Sequence, residues 1–143
     1  NTNKIHFGYI GNSYIGEWVN LGAATTCSNI KNNYSNIKIS VNNSFINTNS
    51  NKIGCFIGDH TKTAIGTYLN TGTVINTACN IVSANNYPPK YIPPFTWFIN
   101  GKTEKYIFEK FLKMLEVTKQ KRRLSVSIAE KEMLRKLYDK IVY

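Results

Sequence analysis

The sequence predicts a mainly β fold: a left-handed parallel β-helix of hexapeptide repeats, with an inserted arm and a C-terminal two-helix appendage. Three observations carry this prediction. In residues 55–85, bulky or β-branched residues recur every six positions, at Ile57, Thr63, Leu69, Ile75 and Ile81. Four positions after each of the first four stands a small residue: Thr61, Thr67, Thr73 and Cys79. The same phase runs earlier through Tyr9, Ile15, Leu21 and Cys27, with Ser13, Val19 and Thr25 as the small partners. Neither the helical period of about 3.6 nor the strand period of about 2 sustains such a repeat, whereas hexapeptide repeats mark a parallel β-helix. Strands of a sandwich or barrel would alternate at the strand period between irregular turns.

Each hexapeptide supplies one short strand and a turn, and three close a triangular coil of about eighteen residues. The bulky residue points inward and stacks on its counterpart one coil away. The small residue lies near a corner, and Gly16, Gly22 and Gly58 suit a tight turn. A single coil cannot bury its apolar face, so coils stack and their ends need caps. Prisms of this type wind left-handed, an exception to the right-handed crossover rule; periodicity alone does not give the hand.

The elements follow in order. Residues 1–86 form the β-helix domain, beginning in phase at Asn-Thr-Asn without Met, and are read as part of a longer chain. Residues 30–52 break the phase; Ile37, Ile39 and Val41 alternate with Lys38 and Ser40, as in a strand extruded as an arm. Residues 53–86 resume the prism. Residues 87–102 read as a strap leaving the ladder, because four prolines remove four donors; Tyr87, Tyr91, Phe95 and Trp97 would anchor it. Residues 103–143 read as a helical hairpin. The first helix is expected from near Thr103 to about Arg123, with Ile107, Phe111, Met114, Leu115 and Thr118 on one face. The second starts at Ser127, with Glu130 three residues on as a capping box. Leu134, Leu137, Tyr138 and Ile141 form its face, for packing against the prism end or another subunit.

The net charge of +10 favours anionic partners: phosphorylated sugars, coenzyme A, nucleic acid or acidic membrane. The densest basic run, Lys119 to Arg123, reads as a solvated helix end, without the aromatic interleaving of a single-strand platform. Nucleic acid is therefore not expected as a partner. No apolar run approaches a membrane span of about eighteen residues. Cys27, Cys55 and Cys79 lack metal spacing and read as reduced structural thiols of a cytoplasmic protein. No metal is expected.

The N-terminal block carries a more specific signal. It reads His6-Phe-Gly-Tyr9-Ile-Gly11, then Tyr-Ile-Gly16, then Val-Asn20-Leu-Gly22-Ala-Ala, then Asn29. These residues resemble the acetyltransferase domain of bifunctional sugar-1-phosphate nucleotidylyltransferase/amino-sugar-1-phosphate acetyltransferases. The inserted arm and Gly54-Cys-Phe-Ile-Gly58-Asp-His-Thr-Lys-Thr63 are similar to the archaeal branch of that family, and the Pro-Pro-Lys-Tyr-Ile-Pro stretch and helical tail to a related bacterial group. The resemblance implies a homotrimer that transfers acetyl from acetyl-CoA to the amine of an amino-sugar 1-phosphate. It implies His6 as general base, Tyr9, Asn20 and Lys38 as sugar-phosphate contacts, and Asn29, Thr67 and Asn85 along the coenzyme. Histidine suits the task because its ordinary pKa lies near neutrality. Ile30, Ser35 and Ala24 depart from the residues usual in that family.

Each assignment has a plainer alternative. His6 can be a hydrogen-bonded corner residue, and Tyr9 can be core because it stands on the six-residue ruler. Asn20 and Asn29 can be turn or ladder residues, and Lys38 a solvated arm residue. His60, in Gly-Asp-His, reads as a loop residue rather than a second base. The competing function is a non-catalytic β-helix that only oligomerises or regulates a nucleotidylyltransferase domain.

Overall fold

The computed structural model describes residues 1–41, 44–83 and 86–141. The protein is mainly β, with parallel strands and two helices. Strands β1 (Tyr14–Ile15), β2 (Asn20–Leu21) and β3 (Thr26–Cys27) precede an antiparallel arm, β4 (Lys38–Val41) and β5 (Ser44–Asn47). Then come β6 (Phe56–Ile57), β7 (Lys62–Thr63), β8 (Tyr68–Leu69), β9 (Val74–Ile75), β10 (Asn80–Val82), β11 (Tyr91–Ile92), β12 (Thr96–Ile99) and β13 (Lys102–Lys105). Helices α1 (Phe108–Gln120) and α2 (Ile128–Asp139) close the described chain.

Sheet I runs β1-β6-β9-β11, sheet II β2-β7-β10-β12-β13, and sheet III β3-β8. Through β10 the chain visits I, II and III in rotation, then passes from β10 in sheet II to β11 in sheet I, and all pairs within these sheets are parallel except β12 with β13. Contacts between successive circuits link residues 18 or 17 apart, and 42 apart across the arm.

The six-residue ruler is the inward column. Ile15, Ile57, Ile75 and Ile92 stack in sheet I, and Leu21, Thr63, Ile81 and Phe98 in sheet II. Most of these are fully buried and form one apolar core with Cys27 and Leu69 of sheet III. Burying each large aliphatic side chain is worth roughly 1.5–3 kcal/mol. Thr63 is the polar exception, and its hydroxyl is satisfied by Gly22 N–H (3.1 Å) and Thr25 Oγ1 (2.8 Å). The three thiols are buried. Burial pushes Cys79 up to about 12, and the adjacent Cys55 thiol followed by burial pushes Cys27 up as well, so these two are poor nucleophiles, whereas the hydrogen bond with Cys27 lowers Cys55.

Four readings need correction. First, the ruler slips at the N-terminus: Ile10, not Tyr9, lies opposite Cys27 and packs on the core, so Tyr9 is turned outward. Second, the expected strap does not leave the ladder. Tyr91–Ile92 pairs with β9 and Thr96–Ile99 with β10. The prolines lie before and between these strands, where a fixed φ helps the turn and no ladder N–H is lost. Third, the helical hairpin does not begin at Thr103. Asn100 (φ 50°) and Gly101 (φ 81°) make a tight hairpin turn, and Lys102–Lys105 pairs back on β12, so α1 starts at Phe108. Fourth, Gly16, Gly22 and Gly58, expected to suit a tight turn, do not adopt the positive φ that favours glycine; at Gly58 the reason is space. A Cβ there would lie 2.6 Å from Thr77 N, so the glycine permits close stacking of neighbouring circuits.

Ser127 Oγ accepts the Glu130 N–H at 3.1 Å, capping α2. The Glu130 carboxylate faces elsewhere, accepting from Lys119 and lying 3.9 Å from His60 Nε2. The helices pack through Phe108, Phe111, Leu115 and Leu134 onto Ala78, Phe95 and Tyr106.

Candidate functional site

The turn from sheet II to sheet III carries His6. Gly8 adopts φ 126°, and a Cβ there would lie 2.3 Å from Thr25 O, so this loop presses on the next circuit. Phe7 O accepts from Ala24 N (2.9 Å). Lys4 Nζ donates to His6 O (3.0 Å) and Gly8 O (2.8 Å), pinning the loop from inside. The His6 side chain is exposed, and its ring makes no hydrogen bond among the described residues. Lys4 is a supporting residue with no signal in the sequence beyond its nearness to His6.

Beside this loop, Tyr9 and Asn29 come together. Asn29 Nδ2 donates to Tyr9 OH (2.9 Å) and to Asn12 Oδ1 (2.7 Å). They line a cleft of about 240 Å³ on sheet III with Thr26, Asn70, Tyr68 and Tyr87. The last two rings lie 6.4 Å apart. The slip that puts Ile10 inward is what delivers the Tyr9 hydroxyl here. Tyr68 and Tyr87 escape a sequence reading because their meeting depends on the stacking of circuits.

The other expected residues lie apart. Asn20 is exposed on sheet II, accepting from Asn3 Nδ2 (3.2 Å), and lines a different cleft with Lys62 and Arg122. Lys38 is exposed on the arm, whose backbone crosses the turn at Gly72; a Cβ on Gly72 would lie 2.6 Å from Lys38 O. Thr67 is corrected: it is fully buried and its hydroxyl donates to Ala64 O (2.8 Å), so its side chain faces no groove. The ruler's small position faces inward, which explains the miss. Asn85 lies outside the described residues.

His60 is not an open loop residue. It is 7% exposed, edge-on to Phe111 with ring centroids 5.9 Å apart. Burial lowers its pKa, against the opposing pull of Glu130 and Asp59. It belongs to the junction with the helices.

Half of the chain matches a known sugar-phosphate enzyme. Over 76 residues it is 34% identical to a bifunctional sugar-1-phosphate nucleotidylyltransferase/acetyltransferase of Sulfurisphaera tokodaii. The match covers 53% of this chain and 19% of the relative, so the chain spans about a fifth of the length of the curated relative it matches. No protein-family model matches the chain. Among the described residues no group of three His, Cys, Asp or Glu side chains is arranged to hold a metal ion. Among the described residues no helix is long and apolar enough to cross a membrane.

Proposed function

We propose that this chain is the acyltransferase part of a sugar-nucleotide biosynthesis enzyme, built on a left-handed parallel β-helix. In this reading it transfers acetyl from acetyl-CoA to the amine of an amino-sugar 1-phosphate such as glucosamine 1-phosphate. The rotation of the chain through three sheets at a spacing of 17–18 residues supports the prism. The observation that carries the function is the Tyr9–Asn29 pair lining a cleft, with the exposed His6 three residues before Tyr9 in the chain. Similarity to the bifunctional relative supports the same reaction class.

The chemistry follows from that arrangement. An ammonium has no lone pair to attack with, so a base must first take its proton. An imidazole is the side chain suited to do this near neutral pH. The free amine then attacks the thioester carbonyl, and the coenzyme leaves as a thiolate that is reprotonated. Asn29 donates to the carbonyl oxygen, where charge builds up, by exchanging its Nδ2 contact with Tyr9 OH or Asn12 Oδ1 for the substrate. The cleft of about 240 Å³ fits an acetyl-pantetheine end rather than a whole coenzyme. The remaining contacts therefore come from elsewhere, including a neighbouring copy in a cytoplasmic homotrimer. Asn20 and Lys38 serve as sugar-phosphate contacts from such a neighbour, since within one chain they stand on other faces.

The test is coenzyme release with acetyl-CoA and glucosamine 1-phosphate. His6→Ala is expected to cut turnover by about 10²-fold or more, while its exposed position leaves the fold intact. Asn29→Ala is expected to weaken acetyl-CoA binding measured by calorimetry. Equal turnover after His6→Ala overturns the assignment of the base. A stable oligomer that binds no acetyl-CoA supports the scaffolding alternative instead.

A further inference from the structure

A second cleft, of about 200 Å³, lies between sheet II and the C-terminal turn of α1, lined by Asn3, Trp18, Asn20, Lys62, Thr118 and Arg122. Its chemistry differs from that of the His6 side. Along the outer face of sheet II, the carboxamides of Asn20 and Asn80 flank Lys62 in register, and Asn3 lies beside Asn20. Arg122 reaches the same cleft from the end of α1. Among the described residues neither cation makes an ion pair. The nearby acid, Glu130, is already engaged by Lys119, whose ammonium also lies 5.3 Å from the Trp18 ring centroid. Burial lowers the Lys62 pKa. An ammonium held in a partly desolvated cleft without a counterion costs stability, and a bound anion would relieve that cost.

We infer that this cleft is a phosphate site, in which Lys62 and Arg122 hold a phosphate group and the Asn3 and Asn20 carboxamides donate at its rim. A guanidinium offers two parallel donors to phosphate oxygens and an ammonium a point charge. The carbonyls at the end of α1 oppose an anion with about half a charge, which two full cations outweigh. The site gives a role to Arg122 of the basic run from Lys119 to Arg123, which the acetyl-transfer reading does not use. It assembles only while α1 is docked, so its ligand also ties the helices to the sheets. Two sources of the phosphate fit: a sugar phosphate reaching along sheet II past Asn20, or a phosphate of coenzyme A.

The experiment is a thermal melt and a calorimetric titration with inorganic phosphate, repeated with chloride at equal ionic strength. Phosphate is expected to bind and to raise the melting temperature where chloride does not. Arg122→Gln is expected to weaken phosphate binding about tenfold or more without altering the phosphate-free melt. Lys62→Met is expected to abolish the phosphate effect and to raise the phosphate-free melting temperature, an outcome a purely structural lysine would not give. Displacement by glucosamine 1-phosphate but not glucosamine identifies a sugar phosphate. Displacement by coenzyme A but not its 3′-dephospho form identifies the coenzyme. Equal effects of chloride and phosphate, or phosphate binding unchanged in both variants, overturn the site. Either result leaves the His6 assignment standing, because that rests on turnover after His6→Ala.

Discussion

The turns from sheet I to sheet II and those from sheet II to sheet III use the same backbone device for opposite ends. At the first, Trp18 (φ 58°), His60 (φ 62°), Ala78 (φ 61°) and Phe95 (φ 52°) repeat one circuit after another in the left-handed region. At the second, Ala24 (φ 62°) and Gly66 (φ 71°) hold equivalent places. A left-handed residue with a side chain costs roughly 1–2 kcal/mol. The first column offsets this by burial: its members are 9%, 7%, 1% and 0% exposed under α1 and α2. The second column is small and half-buried; among the described residues a Cβ on Gly66 would meet nothing within 4 Å. Cover on one edge supplies stability, and the other edge leaves the His6 side chain exposed. The side chains on a repeated turn, rather than the turn itself, decide which edge is covered and which stays open.

The sharpest way to break this comparison is Phe95→Ala. Phe95 is fully buried, with Phe111 and Tyr138 packed edge-on at 5.0 and 5.1 Å between centroids. The truncation is expected to cost about 3–5 kcal/mol, measured by denaturant melts, with hydrogen exchange rising first in α1 and α2. If acetyl-CoA binding is lost in a variant that is still folded, the two edges are not independent. The next effect is a pH dependence at the same column. Burial keeps His60 neutral, so its contribution is complete above its ordinary pKa of 6.5 and falls away as the pH drops below that value. The facing charges are Glu130 and Asp59, which favour protonation, and Lys119 and Lys62, which oppose it. Melts between about pH 8 and pH 5 are expected to lose stability on the acid side. His60→Asn, which tolerates the left-handed backbone, is expected to flatten that slope. An unchanged slope in the variant assigns the acid sensitivity to other groups.

What the sequence could and could not disclose follows the same division. The inward ladder was legible because burial enforces residue type at every sixth place, as at Ile57, Ile75 and Ile81. The slip at Ile10 was not, since Tyr9 and Ile10 are both apolar enough to count as in phase, and only pairing with Cys27 separates them. The prolines misled because a proline in a turn and one in a strand read alike until the strand bounds are known. The Asn100-Gly101 hairpin was there to be read, but the helical pattern beyond it drew the boundary forward. At the candidate site, His6, Tyr9 and Asn29 were legible as a motif, whereas the aromatic wall of Tyr68 and Tyr87 comes from the stacking of distant circuits. Thr67 failed because the repeat position that marks it is also the position that buries it.

The smallest expected effect tests how open the second edge is. Gly66→Ala places a methyl where, among the described residues beyond its chain neighbours, no atom lies within 4 Å, at φ 71°. Its cost is therefore backbone alone, roughly 1 kcal/mol, read from chemical denaturation at low protein concentration. Ala24→Gly, at the equivalent turn, relieves the same backbone cost. It also gives up about 0.5–1 kcal/mol to the freer unfolded chain, so its net change is expected to be close to zero. A Gly66→Ala cost near 3 kcal/mol or more means that another surface already occupies that space. If the excess appears only as protein concentration rises, the surface is a second copy of the chain. The open edge would then be one wall of a site closed by its neighbour, and Gly66 the glycine that lets the neighbour approach.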